Sequence, residues 1–318
     1  MKQFAAFAIV IMTILLSGCT AGTGTEAYSD TRFMLDTVCT IEYGGKDAQA
    51  AVDAAFERIS DIQSETDFYN ESSTISEFNR AAAGIPVKLD ADTAEIIKTA
   101  LEIYEHSGGV FDITVAPVAQ LWNFKDTSDR EPPSDEEIKQ QLEYIGSDKL
   151  IFDYASKTLE KTKDGVKIDL GGAAKGYAAD AAAEVLKSRG ADYALINLGG
   201  NVYAFGSNPK KRSGEWQIGI QKPFADSGTY SQTADIQGSG AVVTSGIYQR
   251  GFKHKGRLYH HILNPFSGYP AETEFSGVTV KADNALLADC LSTACIILDN
   301  ESAAKLAESY GTEIYTEK

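Results

Sequence analysis

Cysteine, histidine and tryptophan are scarce: four, four and two residues in a chain of 318. That is too little cysteine for a small disulfide-stapled scaffold. No Cys-x-x-Cys pair or Cys/His cluster offers a zinc site. Beyond Cys19, only Cys39, Cys290 and Cys295 remain; an odd number completes no disulfide framework, and each reads as a small buried hydrophobe. Positive charge is short as well. Lys and Arg number 29 against 45 Asp and Glu, a net charge of −16. Nucleic acid is thereby excluded as a partner, because phosphate backbones need a basic surface. Any phosphate site must be local, built from a metal ion, a few cations and backbone N–H groups. There is no Gly-x-Ser-x-Gly, no His-Glu-x-x-His, no Walker A loop and no solenoid-length repeat.

The one long apolar run, Phe4 to Leu16, is broken only by Thr13. It falls short of the roughly 20 residues a helix needs to span a bilayer. Behind Met1 and Lys2 it has the form of a signal-peptide core, so residues 1–18 are expected to be removed. Leu16-Ser17-Gly18-Cys19 looks like a bacterial lipobox, which implies lipid attachment at Cys19 and an extracytoplasmic, membrane-anchored protein. Residues 19–30 are small and polar and read as a tether, with 31–318 as one folded unit.

Within that unit, apolar residues at helical spacing predict helices over Asp47–Ser64, Ser72–Arg80, Asp90–Ser107, Ser134–Tyr144, Ala173–Arg189 and Asn284–Leu298, with a short one near Ser302–Tyr310. Arg32–Tyr43 reads as a strand, and a long loop runs through Pro117, Trp122 and Pro133. Short strands are expected near 150–154 and 166–169. A series of strands follows from Tyr193 to Leu263, then Glu274–Ala282. Helices cluster early and hairpins late, so the expected class is α+β, helices packed on an antiparallel sheet, not a doubly wound α/β fold.

Four constellations carry chemistry. Asp169-Leu170-Gly171-Gly172-Ala173-Ala174-Lys175-Gly176 is a glycine-rich strand-to-helix turn whose spacing is neither Rossmann nor P-loop. Its helix start offers free N–H groups, and Lys175 on the first turn opposes the helix dipole, which suggests a local purpose such as a phosphate; a solvated lysine is the plain alternative. Asp289, Ser292 and Thr293 share one face of an apolar helix. Their oxygens suit Mg²⁺, or else are satisfied by local hydrogen bonds. His260 and His261 point to opposite faces of a strand, so at most one of them faces a given site. The Asn264-Pro265-Phe266-Ser267-Gly268 run after them reads equally as turn chemistry, and Gly108-Gly109 ahead of Val110-Phe111-Asp112 as a helix stop.

Taken in order, these pieces resemble the ApbE family, the FAD:protein FMN transferases once called thiamine biosynthesis lipoproteins. The resemblance rests on Phe33-Met34-Leu35-Asp36-Thr37, Tyr69, Ser76-Glu77-Phe78-Asn79, Gly109 to Thr114, Asp169 to Tyr177, Asn197 to Gly200, Ser245-Gly246-x-Tyr248, His261 to Gly268, and Ala288-Asp289-x-x-Ser292-Thr293-Ala294. It implies a T-fold-like core with a smaller helical and loop lobe. It also implies Mg²⁺-dependent transfer of FMN from FAD to a Thr or Ser hydroxyl of an acceptor flavoprotein, releasing AMP. Met34, Tyr69, Val110, Phe111, Asp112, Asp169, Lys175 and Leu263 match family FAD positions, and Gly172, Asp289 and Thr293 match its metal ligands. His261 and Asp169 are the candidates for base and orienting partner. Three departures are Leu35 where the family often has Gly, Asn264 where it usually has Asp, and Ser292 where some members carry Asp. The rival readings are a Mg²⁺-dependent FAD pyrophosphatase giving FMN and AMP, and a non-enzymatic flavin-binding lipoprotein.

Overall fold

The computed structural model describes residues 26–126, 128 and 130–318. The expected signal peptide and Cys19 lie outside the described residues. The described residues open with an antiparallel hairpin, β1 (Glu26–Met34) and β2 (Thr37–Gly45). Helices α1 (Ala48–Thr66), α2 (Thr74–Arg80) and α3 (Ala91–His106) follow, with the two-residue strand β3 (Val87–Lys88) between the last two. A 3₁₀ turn leads into α4 (Ala116–Trp122), then α5 (Asp135–Leu142), β4 (Leu150–Asp153), β5 (Thr158–Lys161) and α6 (Ala174–Ser188). Next come β6 (Ala191–Leu198), β7 (Asn201–Gly206), β8 (Trp216–Gln221), β9 (Tyr230–Ile236) and β10 (Ser239–Gly246). The chain closes with β11 (Gly251–His254), β12 (Arg257–His260), β13 (Gly277–Ala282), α7 (Ala285–Ile297), α8 (Asn300–Ser309) and β14 (Glu313–Glu317).

Seven strands form one sheet in the order β1-β2-β6-β7-β10-β13-β14, with every neighbouring pair antiparallel. One face carries Ile41, Ile196, Leu198, Val243 and Val280 into the main core, against α1, α6 and α7. The other face packs Val202, Ala204 and Val242 under the β8–β9 hairpin through Trp216, Ile218 and Ile236. Residues directly opposed across an antiparallel sheet share a face. One such row runs Cys39, Leu198, Asn201, Val243, Val280, and its four apolar members belong to the main core. A smaller lobe gathers α4, α5 and the β11–β12 hairpin around Trp122. The indole is stacked on Phe124 at 5.6 Å and its Nε1 donates to the Gly268 carbonyl at 2.7 Å. This is the expected α+β arrangement of helices on an antiparallel sheet.

Four local expectations are corrected. Arg32–Tyr43 is not one strand but parts of two, joined at Leu35 and Asp36 with φ of 54° and 57°. Two left-handed residues make the tight turn that matches the strand twist, a place where glycine is normally favoured. β1 begins at Glu26, so 26–30, read as the end of a tether, are already sheet. The run through Pro117 and Trp122 is helix α4, because Pro117 sits in its first turn, where no intrahelical N–H is needed. Residues 166–169 lie extended but pair with no strand. Their backbone groups are satisfied by the Asn79 amide, which exchanges two bonds with Ile168, and by the buried Lys161 ammonium, which donates to the Val166, Phe78 and Asn79 carbonyls.

Near the end of α1, carboxylate oxygens of Glu65, Asp90 and Asp92 lie within 4.8 Å of one another. Asp90 caps α3 by accepting from the Thr93 N–H, and Asp92 is held by Arg58 at 2.6 Å and the Tyr177 hydroxyl at 2.7 Å. Glu65 has no such cation to itself; burial, then Asp90, pushes its carboxyl up to about 8. The folded state therefore holds this proton where the unfolded chain has released it, so stability falls as pH rises from about 4.5 towards about 8. Glu65→Gln is expected to leave Tm nearly unchanged at pH 5 and raise it at pH 8.5, measured by thermal melts at both.

Candidate functional site

A cleft of about 830 Å³ opens between the sheet's helix face and the smaller lobe. That volume suits a cofactor-sized ligand. Its chemistry concentrates where the N-termini of α6 and α7 meet. Asp289 on α7 accepts from the Gly176 N–H of α6 through Oδ2 at 2.9 Å. In return, Asp180 on α6 accepts from the Ala285 and Leu286 N–H groups of α7 at 2.8 and 2.9 Å. Each helix thus lends a carboxylate to the positive end of the other. A glycine is needed at 176, since a Cβ there would lie 2.2 Å from the Ala285 carbonyl oxygen and 2.8 Å from Asp289 Cβ. Burial pushes the Asp180 carboxyl up to about 6 against the pull of those two amides.

Around this contact the expected residues converge. Lys175 Nζ lies 3.6 Å from Asp289 Oδ2 and donates to the Gly171 carbonyl. The Thr293 hydroxyl is 3.1 Å from Ser245 Oγ, and a Cβ on Gly172 would sit 3.6 Å from Thr293 Oγ1, so Gly172 and Thr293 are neighbours. Ser292 turns away from that role: fully buried, its hydroxyl is spent on Ser245 and on the Asp289 carbonyl. Asp289, Thr293 and Gly172 all line the cleft. The Asp289 carboxylate and the Thr293 hydroxyl, with the Gly172 backbone beside them, offer a sparse set of hard oxygen donors. That fits Mg²⁺, which keeps water and ligand phosphates in most of its six positions. The Glu65–Asp90–Asp92 group is the alternative carboxylate cluster among the described residues, but none of the three lines the cleft.

Tyr69, Val110, Phe111, Leu263 and His261 line the cleft. Tyr69 is 56 % exposed, with Lys125 Nζ 3.9 Å over its ring. Phe111 reaches the turn, its ring 3.3 Å from where a Gly172 Cβ would stand. Asp112 is also on the wall, but its carboxylate accepts from the N–H and hydroxyl of both Thr114 and Ser147, so it braces the chain. Met34 is packed against the main core, and it is Leu35, Asp36 and Thr37 that line the cleft. Asp169 Oδ1 accepts from the Gly171 N–H at 2.7 Å, shaping the glycine turn, while burial raises its carboxyl.

His260 and His261 do face opposite ways. His260 is buried on the Ala271 carbonyl; His261 Nδ1 sits 3.2 Å from the Arg250 carbonyl. A carbonyl only accepts, so Nδ1 carries the proton and Nε2 keeps its lone pair. Burial, then Arg250, pushes the His261 ring down to about 3 and keeps it neutral. Asn264 Oδ1 accepts from the Phe266 and Ser267 N–H groups, a turn that Asp would make equally. Sequence reasoning passed over Lys125, Arg250 and Asn201 as site residues. Nothing in a loop lysine's neighbours marks it; Arg250 ends the Thr244–Arg250 run without a role assigned to it, and Asn201 follows the Asn197–Gly200 motif.

The ApbE family profile matches residues 35–316. The chain is 28 % identical to a Treponema pallidum protein named FAD:protein FMN transferase over 321 residues, covering 95 % of this chain and 88 % of that one. It is 34 % identical to a Klebsiella pneumoniae protein of the same name over 221 residues, 70 % of this chain and 67 % of that one. The crystal structure of the ApbE protein from Thermotoga maritima superposes with a TM-score of 0.82 at 32 % identity, covering 92 % of this chain and 94 % of that one. The apo form of the Pseudomonas stutzeri flavinyl transferase ApbE gives 0.78 at 27 %, over 92 % and 91 %. The fold and site belong to a class of mixed α+β flavin transferases. Within that class, the chain is a member of the ApbE family.

Gly176→Ala is expected to force α6 and α7 apart and cost about 1–3 kcal/mol, the usual cost of overpacking a close contact, read from urea unfolding curves.

Proposed function

We infer that this protein transfers FMN from FAD to a hydroxyl of an acceptor flavoprotein, with AMP as the leaving group. The observation that carries the reading is the joining of Asp289, Thr293, Gly172 and Lys175 in a cleft that also offers an aromatic and aliphatic wall. The apolar wall of Tyr69, Val110, Phe111 and Leu263 suits a flavin ring. The pyrophosphate then falls near Lys175 and the N-terminus of α6, which supply positive potential inside a chain of net charge −16.

Asp289, Thr293 and the Gly172 carbonyl would hold Mg²⁺, which when bound neutralises phosphate charge. The rest falls to the chain's own groups. The acceptor oxygen attacks the FMN-side phosphorus, and the bond from that phosphorus to the bridging oxygen breaks. AMP departs with the bonding electron pair, and the hydroxyl proton passes to a base. His261 is the candidate: its ring is fixed by the Nδ1 bond with Nε2 left to accept, and the negative charge of the bound phosphates would raise the basicity that burial and Arg250 depress. Asp169 serves better as the clamp on the glycine turn. Phosphoryl transfer asks chiefly for alignment and charge neutralisation, so a site with no covalent nucleophile is sufficient.

The Leu16–Cys19 pattern supports a lipid anchor on Cys19 and an extracytoplasmic location, facing membrane-bound acceptors. Globomycin treatment of expressing cells should then leave an uncleaved precursor on a gel, whereas unchanged processing would count against the anchor.

The test of function is intact-mass spectrometry of a candidate acceptor after incubation with FAD and Mg²⁺. The expected result is a single FMN-sized mass increase, lost in EDTA. Free FMN with an unmodified acceptor would point to hydrolysis instead. Asp289→Asn keeps an acceptor for the Gly176 N–H while weakening the metal donor, and should cut transfer at least a hundredfold with the far-UV spectrum intact. His261→Asn should lower the rate by roughly 10²–10⁴ without loss of FAD binding, as removing a general base does.

A further inference from the structure

In the sheet row Cys39, Leu198, Asn201, Val243, Val280, four members are apolar, fully buried and packed under the helices. The fifth is an asparagine. Asn201 is 2 % exposed, lines the cleft, and its Nδ2 has no hydrogen-bond partner among the described residues. Leaving a buried amide donor unsatisfied costs about 1–3 kcal/mol, and folded proteins do so rarely. Such a residue is better placed for a ligand than for the fold.

Its position says which part of a ligand. Asn201 pairs with Val243 of β10; two residues further along the same face, Ser245 bonds Thr293 and Ser292 of α7. On the other side the row reaches Cys39, whose thiol feels the charge of Lys175. Asn201 therefore lies on the sheet floor between the groups that α6 and α7 present.

We propose that the Asn201 side-chain amide, turned about its last bond so that Nδ2 leaves its buried position and faces the cleft, donates a hydrogen bond to a phosphate oxygen of the bound flavin dinucleotide. This rests on the reading that the cleft holds FAD with its pyrophosphate towards Lys175 and Asp289. The amide is neutral, so it adds a donor without adding a charge that would need its own counter-ion. It approaches from the sheet side, whereas Lys175 and the α6 amides approach from the helix side.

The test titrates wild-type protein, Asn201→Ala and Asn201→Asp with FAD and with riboflavin, which has no phosphate, following flavin fluorescence with Mg²⁺ present and no acceptor. Asn201→Ala is expected to weaken FAD about tenfold, and Asn201→Asp further, since its carboxylate opposes the phosphate; riboflavin affinity stays unchanged in both. Because Nδ2 makes no bond inside the protein, Tm of Asn201→Ala should not fall. Equal losses for FAD and riboflavin, an unchanged FAD affinity, or a lowered Tm with the FAD-to-riboflavin preference kept would each overturn the assignment. The shape-preserving Asp variant decides the matter if the Ala variant fails to fold. A wild-type protein that binds riboflavin as tightly as FAD contradicts the dinucleotide reading itself. A wild type that prefers FAD, with variants that keep the preference, contradicts only the role of Asn201.

Discussion

The site depends on one contact, the meeting of two helix N-termini. Helix starts carry unpaired N–H groups and partial positive charge, so bringing two together is unfavourable unless anions intervene. Here each helix provides the anion for the other: Asp180 takes the first amides of α7, and Asp289 takes the Gly176 amide of α6. The contact is close enough to require glycine at 176. What results is a rigid knot of positive potential with one carboxylate facing a cleft, in a chain otherwise strongly acidic.

The rest of the molecule can be read as support for that knot. The sheet provides a flat apolar floor for α6 and α7, and Ser245 ties the floor to α7 through the Ser292 and Thr293 hydroxyls. The extended segment before the glycine turn is fixed by Asn79 and Lys161 without a strand partner, which delivers Asp169 and Gly171 to the cleft in a defined shape. The smaller lobe, built around Trp122, brings Leu263 and His261 to the opposite wall.

Much of this was legible in the residues. Helical periodicity placed α1, α3, α6 and α7 closely, with Asp90 and Asn284 read as starts that the structure shows to be caps. The i, i+3, i+4 spacing put Asp289, Ser292 and Thr293 together, but spacing alone could not tell that Ser292 faces the sheet and Thr293 the cleft; that depends on where Ser245 lies in the fold. The first hairpin was missed because its turn uses Leu35 and Asp36, not the glycine or asparagine that normally announce left-handed residues. The roles of Asn201 and Arg250 escaped notice for another reason. Their significance comes from strand register and cleft position, which are long-range properties of the fold.

The most direct measurement is a crystal structure grown with FAD and Mn²⁺, using anomalous scattering to locate the ion. The account predicts one anomalous peak within coordination distance of Asp289 and Thr293, touching the pyrophosphate. A peak at Glu65, Asp90 and Asp92 instead, or bound FAD with its phosphates away from Lys175, would contradict it.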